Sequence, residues 1–275
     1  MDDHSTRPVD LLHLGRPEVI CAWLHGDIIV DPGPASCLPT LLDAIDEVPP
    51  RVLALTHIHL DHAGATGSLV RRFPELEVWV HERGARHLSD PSRLLASAGR
   101  LYGADMQRLW GEVLPVPAEN LRVLYGGERV GPFRVAYTPG HASHHVSYLD
   151  EAGGRAFTGD VTGVRIGAGP VLAPTPPPDI DVDTWKASLQ TVEAWAPERL
   201  CLTHFGEHTD VEAHLAGARA ALDEELGWAR TLDTAAFVAR LRERVAASVD
   251  SAGSGAYEQA LPPEQSHQGL VRFLQ

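Results

Sequence analysis

The stretch Thr56 to Gly64, THIHLDHAG, stands directly behind the apolar run Val52 to Leu55 and constrains this chain more than any other segment. Imidazole nitrogens and carboxylate oxygens are the donors that borderline divalent metals prefer. In an extended segment, residues two apart point the same way, so His57 and His59 can grip one ion together. The chain then turns into a helix at Ala63, which lets Asp61 and His62 face a second ion beside the first. Gly64 lets the backbone stay close to the cluster. A lone HxH is common. Four ligand-type side chains in six positions behind a buried strand have no structural use, because a core does not accept them without partners.

Three further signals arrive at strand ends in order: TPGH closing on His141, FTGD closing on Asp160, and LTHFG carrying His204. Strand-like runs precede the motifs at Leu11 to Leu14, Val19 to Leu24 and Asp27 to Val30, the last two separated by a turn at Gly26. Helical spacing begins at Ser36 and stops before Pro49. Ala63 to Phe73 reads as helix, Glu77 to Val80 as strand, and Pro91 to Trp110 as helical. Strand signals return at Leu121 to Leu124, Phe133 to Thr138, Val146 to Leu149 and Arg155 to Thr158, and the pairs Gly126–Gly127 and Gly153–Gly154 sit between them as hairpin turns would. The proline-rich segment Val171 to Asp181 is excluded from helix and central strand. Asp183 to Trp195 is an amphipathic helix and Arg199 to Thr203 a strand. Beyond His208, itself expected on a new helix, the pattern is helical through Val211 to Leu226, Thr231 to Val249 and a final helix near Leu270. Ser251 to Ser254 is expected as a loop. The mixture suits two sheets packed together and flanked by helices.

Composition excludes some partners. The formal net charge is −14 with a single lysine, Lys186, and no arginine cluster, so phosphate-driven nucleic-acid binding lacks its cations. No run approaches the ~18 apolar residues of a membrane span. The segment MDDHSTRPVD carries acids and no apolar stretch, unlike a secretory signal. Cys21, Cys37 and Cys201 are far apart and odd in number, which reads as buried thiols in the cytoplasm.

The ordered set HxHxDH, a His after a TPG turn, GD, and a His on a late strand resembles the metallo-β-lactamase superfamily, in its glyoxalase II-like hydrolase branch. The match runs from about Val9 to Gly206 and includes an early Asp–Pro–Gly, Asp31 to Gly33. The resemblance implies an α+β fold, the αββα sandwich of the metallo-β-lactamase family, with a C-terminal helical extension. It implies a catalytic domain over 1–207 and the extension over 208–275. It places His57, His59 and His141 on a first metal, Asp61, His62 and His204 on a second, Asp160 between them, and Asp31 behind the ligand loop. Two divalent ions follow, zinc by default, with iron or manganese as alternatives. A hydroxide shared by two metals would attack an ester, thioester or lactone, and Asp61 would steer it or carry a proton.

Two other activities of the same fold remain as alternatives. One is a persulfide dioxygenase with one iron, which would leave Asp61, His62 and His204 without a metal. The other is a phosphodiesterase, which would want a basic channel. From Glu207 to Gln275 there are eleven Asp and Glu against six Arg and no Lys, which argues against a glutathione thioester and more firmly against transfer RNA. A small-molecule substrate is expected, with no nucleic acid and no membrane, and a homodimer stays open. Of the remaining histidines, His144 and His145 are expected behind the ligands or on the pocket wall, His81 in a capping or packing role and His208 near the mouth. His4, His13, His25, His87, His214 and His267 are expected in surface or packing roles.

Overall fold

The computed structural model describes residues 6–45 and 49–275, and His4 lies outside them. The chain divides into two compact units, one ending at Glu128 and one running from Arg129 to Gln275.

The first unit holds a six-stranded sheet in the order β1 (Thr6–Asp10), β2 (Cys21–His25), β3 (Ile28–Val30), β4 (Val52–Ala54), β5 (Glu77–His81) and β6 (Leu121–Leu124). β1 to β3 are antiparallel, and β3 to β6 run parallel. Parallel neighbours need crossovers. These are α1 (Leu38–Ala44), α2 (Leu60–Ala63), α3 (Thr66–Arg72), α4 (Glu82–Ser89), α5 (Ser92–Tyr102) and α6 (Met106–Trp110). Ile29, Val30, Leu53, Ala54, Val78 and Val80 are all buried, as strands covered on both faces require.

Two local expectations change. Leu11 to Leu14 is not a strand; β1 lies just upstream. The Asp10 carboxylate accepts the N–H groups of Leu12 and Glu18 and curls the chain, so Leu12 and Leu14 take φ of 50° and 54° around a 3-10 turn. The helix expected from Ala63 begins earlier, at Leu60, and is split into α2 and α3. Gly64 stands at the split. A Cβ there would meet the Leu60 carbonyl at 2.5 Å and the Pro34 Cα at 3.1 Å, so its close approach is to the Pro34–Ala35 backbone.

The second unit holds another six-stranded sheet, ordered β12 (Gly206–His208), β11 (Arg199–Leu202), β10 (Arg155–Gly159), β9 (Val146–Asp150), β8 (Phe133–Tyr137) and β7 (Arg129–Val130). Only β10 and β11 pair in parallel, and α7 (Val182–Ala194) makes their crossover. α7 starts where Asp181 accepts the Thr184 N–H at 2.9 Å. α8 (Val211–Thr231), α9 (Thr234–Ala246), α10 (Ser251–Ala260) and α11 (Pro263–Phe273) follow.

Gly153–Gly154 joins antiparallel β9 and β10 as expected. Gly126–Gly127 is not a hairpin, because β6 and β7 belong to different sheets. His208 ends β12, paired with Leu200, rather than opening a helix. Ser251 to Ser254 is the first turn of α10, not a loop. Asp250 caps it by accepting the Gly253 N–H, and the burial of Ala256 and Tyr257 overrides the weak helix propensity of its glycines. Val171 to Asp181 is irregular, apart from one antiparallel bridge between Val164 and Leu172.

Candidate metal centre

Strand β4 ends at Ala54, and the polar motif begins two residues on, at Thr56. Asp31, at the C-terminal end of β3, is fully buried. It accepts the Thr56 N–H at 2.8 Å, the Thr56 hydroxyl at 2.7 Å and the His62 Nδ1–H at 2.8 Å. A ring that gives Nδ1–H to a carboxylate presents Nε2 as its lone pair, so His62 is fixed in tautomer and direction. The Thr56 hydroxyl, committed to Asp31 as donor, takes the Nδ1–H of His57 at 3.1 Å. His57 therefore also presents Nε2, which lies 3.0 Å from Nδ1 of His59. The rings of His57 and His62 are 4.0 Å apart, and His62 Nε2 is 3.7 Å from an Asp61 carboxylate oxygen. The first unit thus brings His57, His59, Asp61 and His62 together. His57 and His62 are buried, whereas Asp61 keeps 22% of its side chain exposed.

In the second unit the three expected residues sit at strand ends. His141 follows β8, Asp160 follows β10 and His204 follows β11. His141 gives its Nδ1–H to the Pro174 carbonyl at 2.7 Å, and its Nε2 is 3.2 Å from one Asp160 oxygen. The other Asp160 oxygen is 3.6 Å from His204 Nε2. One carboxylate therefore offers an oxygen to each of two imidazoles, the arrangement a bridging ligand needs. Trp185 packs edge-on against His141 with centroids 5.4 Å apart, and its N–H is held by the Val161 carbonyl at 2.6 Å.

His145 accepts the Asp160 N–H through Nε2 at 3.3 Å and bonds the Thr138 hydroxyl through Nδ1 at 2.9 Å. It steadies the Asp160 backbone and is not itself in any ligand-like group. His81 caps α4 by accepting the Arg83 N–H, as expected, and burial lowers its pKa. His13 stacks on Trp110, and His267 packs on Phe237. The residues that sequence reasoning missed are Thr56, Trp185 and the Pro174 carbonyl. A backbone acceptor leaves no signature in sequence, whereas Thr56 opens the motif itself.

The profile of the Metallo-beta-lactamase superfamily matches residues 25–204. The metallo-beta-lactamase fold-containing protein ST1585 of Sulfurisphaera tokodaii is 28% identical over 211 residues, 72% of this chain and 76% of that one. Its crystal structure superposes with a TM-score of 0.72 at 21% identity, over 96% of this chain and 97% of that one. A hydroxyacylglutathione hydrolase of Xylella fastidiosa (strain M23) is 32% identical over 179 residues, 64% of this chain, and the match spans only 54% of the relative's length. The di-iron-bound structure of TTHA1623 is 28% identical with a TM-score of 0.52, over 68% of this chain and 86% of that one. The chain belongs to the metallo-β-lactamase superfamily. Its fold is the metallo-β-lactamase fold, with mixed sheets and C-terminal helices.

Proposed function

We propose that this chain is a binuclear metal-dependent hydrolase acting on an ester, thioester or lactone. The observation that carries the reading is the state of the donors. His57, His62 and His141 each give Nδ1–H to a fixed acceptor and so present Nε2, while Asp160 offers one oxygen to each of two histidines. Such back-side partners are what metal-binding imidazoles require. The seven residues match zinc's ligand chemistry and equally suit iron, the metal of the di-iron relative. A two-ion centre would use His57, His59 and His141 for one ion and Asp61, His62 and His204 for the other, with Asp160 shared. When bound, two divalent ions supply an acidified water and polarise the substrate carbonyl.

The chain's own residues hold that arrangement. Asp31 fixes His62, and Thr56 fixes His57. The Pro174 carbonyl fixes His141, and His145 fixes the Asp160 backbone. Asp61 is the proposed carboxylate that orients the attacking water and passes its proton toward the leaving group. The substrate is a small molecule: a formal net charge of −14 repels polyanions. Among the described residues no helix is long and apolar enough to cross a membrane. Relatives that hydrolyse hydroxyacylglutathione support carbonyl chemistry, while the acid excess after Glu207 favours a substrate other than a glutathione thioester. Three buried thiols without a disulfide fit a reducing, cytoplasmic setting.

Metal content by plasma mass spectrometry, beside a screen of ester, thioester, lactone and phosphodiester substrates, tests the reading. About two divalent ions per chain are expected, falling in His57→Ala and in Asp160→Ala together with carbonyl-substrate turnover. Unchanged metal content in both variants defeats the ligand assignment. Oxygen uptake with a persulfide and a single iron replaces the hydrolase with a dioxygenase.

A further inference from the structure

The segment from Ile166 to Thr175 lies in the second unit and includes Pro174, whose carbonyl holds His141. It contains Pro170 and Pro174, which have no N–H to give to a sheet. Beyond the two backbone bonds of the Val164–Leu172 bridge, it is held by contacts with the C-terminal helices. The Tyr257 hydroxyl of α10 accepts the Ile166 N–H at 3.0 Å and donates to the Pro170 carbonyl at 2.6 Å. The Thr175 hydroxyl donates to the Ser266 carbonyl of α11 at 3.0 Å. Gly269 of α11 presses so closely that a Cβ there would fall 1.9 Å from the Thr175 carbonyl oxygen.

Arg244 of α9 reaches the Val171 carbonyl at 3.5 Å, and a further anchor has a different character. Glu225, on α8, is completely buried, and its Oε1 accepts the Ala173 N–H at 3.1 Å. Burial is the main cause that pushes its carboxyl up to about 8, against the pull of the Ala173 N–H bond and the nearby Arg244, with Glu224 adding to the rise. Burial thus favours the neutral acid, with Oε1 facing the loop as the acceptor. Arg244 does not neutralise it, being bonded to Glu224 at 2.8 Å. The surface alternatives at this position on α8, Asp223 and Glu224, are exposed and ion-paired, so a buried acid one residue on has a specific task. Ala173 is followed by Pro174, whose carbonyl accepts the His141 Nδ1–H.

We propose that Glu225 is a positioning residue: from the helical extension it holds the Leu172–Ala173 peptide, one residue ahead of Pro174, and so helps to set the Pro174 carbonyl and the direction in which His141 presents Nε2. The inference rests on the reading of His141 as a metal ligand. It gives α8, which carries none of the motif residues, a part in assembling the centre. Any acceptor of the same length serves, and a side chain lacking the acceptor or shortened by a methylene does not.

The test is zinc affinity, measured by competition with a chromophoric chelator on protein shown to be folded by circular dichroism. Glu225→Gln keeps an amide oxygen in place and is expected within about twofold of wild type. Glu225→Met removes the acceptor at similar volume, and Glu225→Asp draws it back. Each is expected to weaken zinc about tenfold, at the low end of what outer partners of metal ligands contribute. Two variants guard against either failing to fold. Wild-type affinity in a folded Met or Asp variant overturns the proposal, and so does equal weakening in the Gln variant. His141→Ala is the control: if it leaves zinc affinity unchanged, the metal-centre reading fails rather than the role of Glu225.

Discussion

Asp31 sits at φ 51°, a left-handed conformation that Asp tolerates better than most side chains, and from there its two oxygens reach three donors at once. Removing the carboxylate leaves a buried amide, a buried hydroxyl and an imidazole N–H without their acceptor. Asp31→Ala is expected to lose about 3 kcal/mol of stability by urea unfolding, the cost of such stranded groups. It is also expected to weaken zinc by about 10–100-fold, as loss of an outer partner does. A variant as stable as wild type would show that the three donors have other acceptors. At this scale much was legible. The histidines and aspartates of THIHLDHAG are contiguous, so their chemistry is written in spacing. The acceptors behind them are not: Thr56 works through a hydroxyl that any core threonine has, and Pro174 through a main-chain oxygen common to every residue.

At the scale of elements, α7 is fastened against the turn that carries His141. Gly140 has φ 133°, and a Cβ there would fall 2.3 Å from both Cα and Cβ of Trp185. The Gly140 carbonyl accepts the Asp181 N–H at 2.8 Å, and the Pro139 carbonyl accepts the Ser188 hydroxyl at 2.6 Å. The turn and the helix therefore touch backbone to backbone. Gly140→Ala meets both a disfavoured φ and a helix that cannot yield locally, and roughly 2–4 kcal/mol of destabilisation is expected by thermal or urea unfolding. A change within about 0.5 kcal/mol, the size of an ordinary surface substitution, would contradict the contact. The TPG signal announced this turn but not its partner, because α7 follows forty residues of chain later. Elements were misread where a tertiary contact outweighed local preference. Asp10 curls a leucine-rich run out of the sheet, and buried Tyr257 draws a Ser- and Gly-rich stretch into helix. Regular elements with their own periodicity, such as α7 and β9, were legible within a residue or two.

At the scale of the whole molecule, two buried groups titrate in opposite senses and together shape stability against pH. His214 gives its Nε2–H to the Thr162 carbonyl at 2.9 Å, and burial lowers its pKa to about 4 from 6.5. The folded chain keeps it neutral while the unfolded chain protonates it, so its contribution is present above pH 6.5 and is lost as pH falls toward 4. Glu225 is raised to about 8 from 4.5, so its contribution is present below pH 4.5 and is lost as pH rises toward 8. Each slope is at most about 1.4 kcal/mol per pH unit. Between pH 4.5 and 6.5 the two oppose each other, with His81 and His208, also lowered by burial, acting on the side of His214, and from 6.5 to 8 Glu225 supplies the decline. Urea midpoints of metal-free wild type and of each variant, followed across pH, separate them. Glu225→Gln is expected to abolish the decline from pH 6.5 to 8 and to unmask a rise from pH 4 to 6.5. His214→Gln is expected to shift the slope between pH 4.5 and 6.5 toward decline and to leave the decline from 6.5 to 8 unchanged. If Glu225→Gln keeps the wild-type decline above pH 6.5, the buried acid is ionised in the folded chain, and it holds Ala173 as a carboxylate rather than as the neutral acid argued above.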